Sequence, residues 1–177
     1  IGSVPQTLLL DETADADHHR SVVTAVSLTT DALLESAFAG VRTAADLLDI
    51  RQHQGVHPRI GVADVVPLIP VRGATLADLV PVAHTLAVRI ADELAIPVYC
   101  YDAAALRPER APLSFIRNRG WAFPRESIRP PEWTPDFGPK ALHPTAGASM
   151  VGVRFFLIAL TVHPASTDLA VARRIAA

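Results

Sequence analysis

The sequence predicts an α/β (α+β) domain, with helices packed on one face of a sheet. Short β-branched and apolar runs alternate with two long segments of helical periodicity, and the first two runs flank a polar loop as a hairpin would. Size supports one such unit: 177 residues, half of them hydrophobic and 19% charged, suit a single well-packed domain over 1–177.

Gln6 to Leu10 is a short apolar run ending at Asp11, and Val22 to Leu28 is β-branched and alternating; they read as antiparallel strands around the polar loop Glu12 to His19. Thr29-Thr30-Asp31 offers N-cap side chains, after which Leu33, Leu34, Ala37, Val41, Ala44, Ala45 and Leu48 recur at helical spacing up to Asp49. Val62 to Val71 is a strand whose Pro67 and Pro70 cannot donate ladder hydrogen bonds, so it should bulge or lie at an edge. Thr75 to Leu94 is a second amphipathic helix that tolerates Pro81 in its first turns. Pro97 to Tyr101 is an apolar and aromatic strand, Leu113 to Arg119 a short helix, and Pro124 to Pro139 a proline-rich irregular crossing. Val151 to Val162 is expected to be a continuous strand, and a final helix begins at Asp168.

A formal net charge of -2, with arginines scattered and not striped, argues against a nucleic-acid partner. No apolar run reaches the roughly 18 residues that span a bilayer, so no membrane partner is expected. The lone Cys100 lies in an apolar run and reads as a buried structural thiol; nothing requires an oxidising compartment, which points to the cytoplasm. His53 and His57 have the spacing of a zinc helix, but Gly55 between them and Pro58 after them oppose a helix, and no metal is expected. Glycine-rich loops of the nucleotide-binding kinds are absent. The chain begins at Ile1 and its one methionine is Met150, so it reads as part of a longer protein.

The most informative stretch is Gly55-Val56-His57-Pro58-Arg59-Ile60-Gly61, which runs into Asp64-Val65-Val66-Pro67-Leu68-Ile69-Pro70-Val71. Proline after His57 biases the histidine toward extended geometry, and the two glycines allow turns that a side chain would forbid. A loop this stiff, leading into a buried strand, serves a site.

This stretch resembles the formiminotransferases, whose signature is Gly-x-His-Pro-Arg, a glycine two on, and an Asp-Val-x-Pro-x-x-Pro-Val strand. The likeness extends to Leu8–Asp11, to Asp15, Asp17-His18 and Arg20–Thr24, to Trp133, Pro135–Pro139 and Gly147, and to Thr167 with Ala172–Ala176. Membership would imply a ferredoxin-like mixed sheet. It would also imply that this chain is the amino-terminal subdomain without its opening β-α unit, which carries a Pro-Asn-x-Ser-Glu-Gly motif, and without a second subdomain. An edge exposed by that missing strand would favour a homodimer.

The resemblance implies a cytoplasmic one-carbon transferase of histidine catabolism that moves a formimino group from N-formimino-glutamate to tetrahydrofolate, the acceptor substrate. His57 would be the general base that takes the N5 proton, a task suited to an imidazole near neutral pH. Arg59 would hold a substrate carboxylate. An acidic member of Asp15, Asp17, His18 and Arg20 would orient His57 if the hairpin faces it. The folate loop would be Gly138, Pro139, Lys140, Ala141, Leu142, His143, Pro144, Thr145, Ala146 and Gly147. Here Lys140, Leu142, His143 and Ala146 stand where the family leads one to expect serine, an aromatic, an apolar residue and an aromatic. That departure, with the absent second subdomain, supports an alternative: a non-catalytic relative that binds folate or a protein partner.

Overall fold

The structure is a computed structural model and describes residues 1–117, 133–158 and 165–176. Strands β1 (Thr7–Asp15) and β2 (Arg20–Ser27) pair antiparallel from Thr7 opposite Ser27 to Asp15 opposite Arg20, with an irregularity between Leu9 and Asp11. The hairpin is longer than its apolar pattern predicts, because Glu12 and Thr13 pair with Val23 and Val22 on strands exposed to water. Polar side chains there stay solvated while the backbone gains its ladder.

Helix α1 (Thr30–Leu47) starts where the Thr29 hydroxyl accepts the Ala32 N–H at 3.2 Å, and it buries Ala32, Ser36, Phe38 and Val41. Helix α2 (Leu76–Leu94) opens on a reciprocal cap between Thr75 and Asp78, carries Pro81 within it, and ends at Ala95 in a left-handed conformation. Between them, β3 (Val65–Leu68) is shorter than its apolar run. It is an edge strand, the position that its prolines require.

Strands β3, β4 (Val98–Asp102) and β5 (Ser149–Val153) form a parallel sheet in the order β3-β5-β4. The α/β class therefore holds, but among the described residues the strands lie in two sheets, one antiparallel and one parallel, and not in a single mixed sheet. Side chains alternate across the parallel sheet. Val98, Cys100, Val151 and Val153 join the core beneath α1 and α2, while Tyr99, Tyr101 and Met150 face Ile60 and Ile116 on the other side. That second face is covered by the short helix α3 (Leu113–Arg117), so helices are not confined to one face.

The expected strand from Val151 to Val162 ends at Val153, because both neighbours end level with it, at Leu68 and Asp102. Residues 155–158 (Phe-Phe-Leu-Ile) leave the sheet exposed; 159–164, like most of the crossing from 124 and the end of the helix expected to Arg119, lie outside the described residues. Helix α4 (Leu169–Ala176) forms where predicted.

The described end of the crossing is bolted to β4. The Asp136 carboxylate accepts the Cys100 N–H at 2.8 Å and Arg110 Nη1 at 2.6 Å, with both side chains buried, and the Tyr99 hydroxyl donates to the Trp133 carbonyl at 2.9 Å. Burial pushes the Cys100 thiol up to about 12, so it is an inert core residue as its apolar surroundings imply.

Candidate functional site

The loop that carries His57 is held from three sides. Arg59 binds its own loop, donating to the carbonyls of His53 at 2.9 Å, Gly55 at 3.1 Å and His57 at 3.4 Å. Asp64 accepts the Ile60 N–H at 2.7 Å and Arg117 of α3 at 3.2 Å. Beyond Ile60 the backbone meets the segment before β5: Gly61 bridges Gly147, and Ala148 donates to the Ile60 carbonyl at 3.0 Å.

Glycine is needed here for closeness more than for turning. A Cβ on Gly61 would sit 1.9 Å from the Ala148 carbonyl oxygen, and one on Gly55 would sit 2.0 Å from the His18 carbonyl oxygen. Neither has a positive φ; Gly138 and Gly147, at 89° and 76°, do.

Gly55 admits the tip of the β1–β2 hairpin. Val56 donates to the Asp17 carbonyl at 3.3 Å, and the Gln54 N–H donates to His19 Nδ1 at 3.3 Å. This docking puts the His18 ring 6.0 Å from that of His57, and His19 4.8 Å from His53. Half-buried, His57 has its pKa lowered by desolvation first and then by the charges of Arg117 and Arg20, against the Pro58 backbone and Asp64. It is thereby biased to the neutral form that can accept a proton.

The acidic residue expected to orient His57 is not found: among the described residues no carboxylate pairs with its ring, and Asp15 instead binds His18, at 2.9 Å to Nδ1 and 2.9 Å to its backbone N–H. Arg59, expected to meet a carboxylate, pairs with neither Asp64 nor Asp15 and holds loop carbonyls.

The segment 138–147 divides in two. Gly138, Pro139, Lys140 and Ala141 are exposed, while Leu142 packs on the tyrosine-lined core. His143 closes a tight turn by accepting the Ala146 N–H at 3.0 Å; Pro144 is exposed, Thr145 accepts the Ile50 N–H at 2.8 Å, and Gly147 exchanges hydrogen bonds with His143. Ala146 is 1% exposed and its methyl belongs to the main core, so an aromatic ring at this position could not stack on a ligand without repacking. The end that reaches the His57 loop is therefore the Gly147 end.

Among the described residues, no group of three or more His, Cys, Asp or Glu side chains is placed to hold a metal ion, and no helix is long and apolar enough to cross a membrane. Sequence reasoning missed Arg117, which reaches the site from α3 with no local motif to flag it.

Residues 1–154 match the family described as the formiminotransferase domain, N-terminal subdomain. The chain is 40% identical to the glutamate formimidoyltransferase of Thermoplasma acidophilum over 99% of its own length and 58% of the relative's. It is 37% identical to the glutamate formimidoyltransferase of Streptococcus pyogenes serotype M1, over 98% of this chain and 58% of that one. Against the formimidoyltransferase-cyclodeaminase of Rattus norvegicus the identity is 41%, over 94% of this chain and 31% of that one. The chain thus spans little more than half the length of the two transferases.

Proposed function

Because this chain belongs to the formiminotransferase family, as its N-terminal subdomain, we propose that it supplies the base and part of the folate site of an enzyme that moves a formimino group from N-formimino-glutamate to tetrahydrofolate. The observation that carries the reading is the Gly61–Gly147 contact, by which the loop of His57 is joined to the 138–147 segment. In this reading His57, kept neutral by its surroundings, takes the N5 proton as that nitrogen attacks the formimino carbon. The exposed backbone of Gly138 to Ala141 receives the flat ring, and His143 to Gly147 shape the turn beneath it. Arg59 fixes the base and adds positive charge for carboxylate-bearing substrates.

The test is transfer by the intact protein, with formiminoglutamate and tetrahydrofolate supplied together. His57→Ala should lower kcat by roughly 10²–10⁴-fold, the usual range for a lost general base, with tetrahydrofolate still bound. Wild-type turnover in that variant would remove the base assignment.

The buried Ala146 favours a second reading, a relative that binds folate or a protein partner without turnover. Titration calorimetry with tetrahydrofolate, with and without formiminoglutamate, separates the two: binding in the absence of any transfer supports the second.

A further inference from the structure

The hairpin tip brings a second imidazole to His57, and its setting differs from that of the first. His57 is half-buried beside arginine charge. His18 sits in the open, with its Nδ1 on the Asp15 carboxylate at 2.9 Å and its backbone N–H on the same carboxylate. Asp15 thus fixes the ring's orientation and its tautomer, with the proton on Nδ1 toward the carboxylate, and gives the doubly protonated ring a counter-charge. Nε2 is left for a reacting group.

The placement has its own structural support. Gly55 lacks a side chain where the His18 carbonyl would collide with one, and the Val56–Asp17 hydrogen bond holds the tip down. The two rings, 6.0 Å apart between centroids and tilted by 56°, do not stack on each other and lie close enough to bear on one bound substrate.

Formimino transfer needs two proton movements. The attacking nitrogen must lose a proton, and the departing glutamate nitrogen must gain one to leave as an amine. Resting on the formimino-transfer reading above, we propose that His18, seated on Asp15, is the second acid–base group of the site and protonates the departing nitrogen. The N5–carbon bond forms as His57 accepts the N5 proton. The carbon–nitrogen bond to glutamate then breaks, its electron pair staying on nitrogen, which takes the proton from His18 Nε2. The reaction ends with His57 protonated and His18 neutral. Transfer of one proton from His57 to His18, through water, restores the starting state with no external reagent.

The charged and titratable groups around the pair are Asp15 and Arg20 of the hairpin, His53, Arg59 and Asp64 of the loop, and Arg117 of α3. They set the charge around the two rings but do not replace a missing proton donor.

The experiment uses the intact protein and two formimino donors: formiminoglutamate, and a nitrophenyl formimidate whose nitrophenolate departs as a stable anion without protonation. His18→Gln should lose about 10²-fold in kcat with formiminoglutamate, lose the high-pH limb of its kcat profile, and keep most of its rate with the nitrophenyl formimidate. Asp15→Asn keeps the imidazole and removes the carboxylate that orients it, so it should lower kcat with formiminoglutamate by a smaller factor and spare the nitrophenyl donor. It also tests the proposal should His18→Gln fail to fold. Equal losses with both donors in either variant, or an unchanged high-pH limb in His18→Gln, would overturn the proton-donor role. A wild-type protein that transfers no formimino group would instead defeat the functional reading on which the proposal rests.

Discussion

At the scale of single residues, His57 combines a fixed backbone with an environment that disfavours its proton. Its folded pKa lies below the ordinary 6.5, through burial and then Arg117 and Arg20. The neutral base persists to lower pH than a free histidine, so the acid limb of transfer should have its midpoint below 6.5; an acid limb above that value in a kcat/KM profile would contradict it. His53 is shifted the same way, by burial and by Arg59. Unfolded chains then bind protons that the folded one resists, so stability is complete above about 6.5 and falls as the pH drops below it. Melting curves from pH 8 to 5 should show Tm declining over the lower part of that range. The stiff loop around His57 was legible from Gly55, His-Pro-Arg and Gly61 alone. The hydrogen bonds of Arg59 to three loop carbonyls were not legible, because they depend on how the loop folds back on itself.

Among elements, the decisive contacts are backbone on backbone. Gly61→Ala should push the 143–147 turn off the His57 loop, because the new methyl meets the Ala148 carbonyl at 1.9 Å. A cost of about 1–3 kcal/mol is the scale of such strain, and urea titration against the parent would read it; a change below a few tenths would show that the turn moves freely. A second element-level test is Asp136→Ala, which takes the carboxylate partner from the fully buried Arg110 and from the Cys100 N–H while Arg110 keeps the Thr134 carbonyl. Breaking a buried pair from one side costs about 3–5 kcal/mol, so a near-neutral result would mean that the crossing is not anchored by this carboxylate. Element order was largely legible, since caps at Thr29 and Thr75 and helical spacing are local signals. The end of β5 was not, because apolar character continues through Phe155 to Ile158 while the partner strands stop.

For the whole molecule, the site lies at an unusual place for a parallel sheet. Ligands in open α/β sheets are expected at the carboxyl ends of strands, whereas His57 and the 138–147 segment both precede their strands, β3 and β5. The hairpin, a separate sheet, reaches the same end. Among the described residues, the apolar surfaces open to solvent include Leu8 and Leu10 on β1 and Phe155 to Ile158 after β5. Surfaces of this kind promote association. The 177-residue chain alone should self-associate as its concentration rises in size-exclusion chromatography, and Leu8→Glu with Leu10→Glu should reduce it if the hairpin edge is responsible. A monomer at every concentration would count against both patches.

The sequence by itself determined the periodic elements, the rigid His57 loop and the family likeness, because caps, prolines, glycines and hydrophobic spacing act over a few neighbouring residues. Only the tertiary structure decided which side chains meet: His18 with His57, Arg117 with Asp64, and Ala146 with the core. Those meetings depend on how the hairpin, α3 and the segment before β5 pack around one loop, and no short-range pattern encodes distances between segments that lie far apart along the chain.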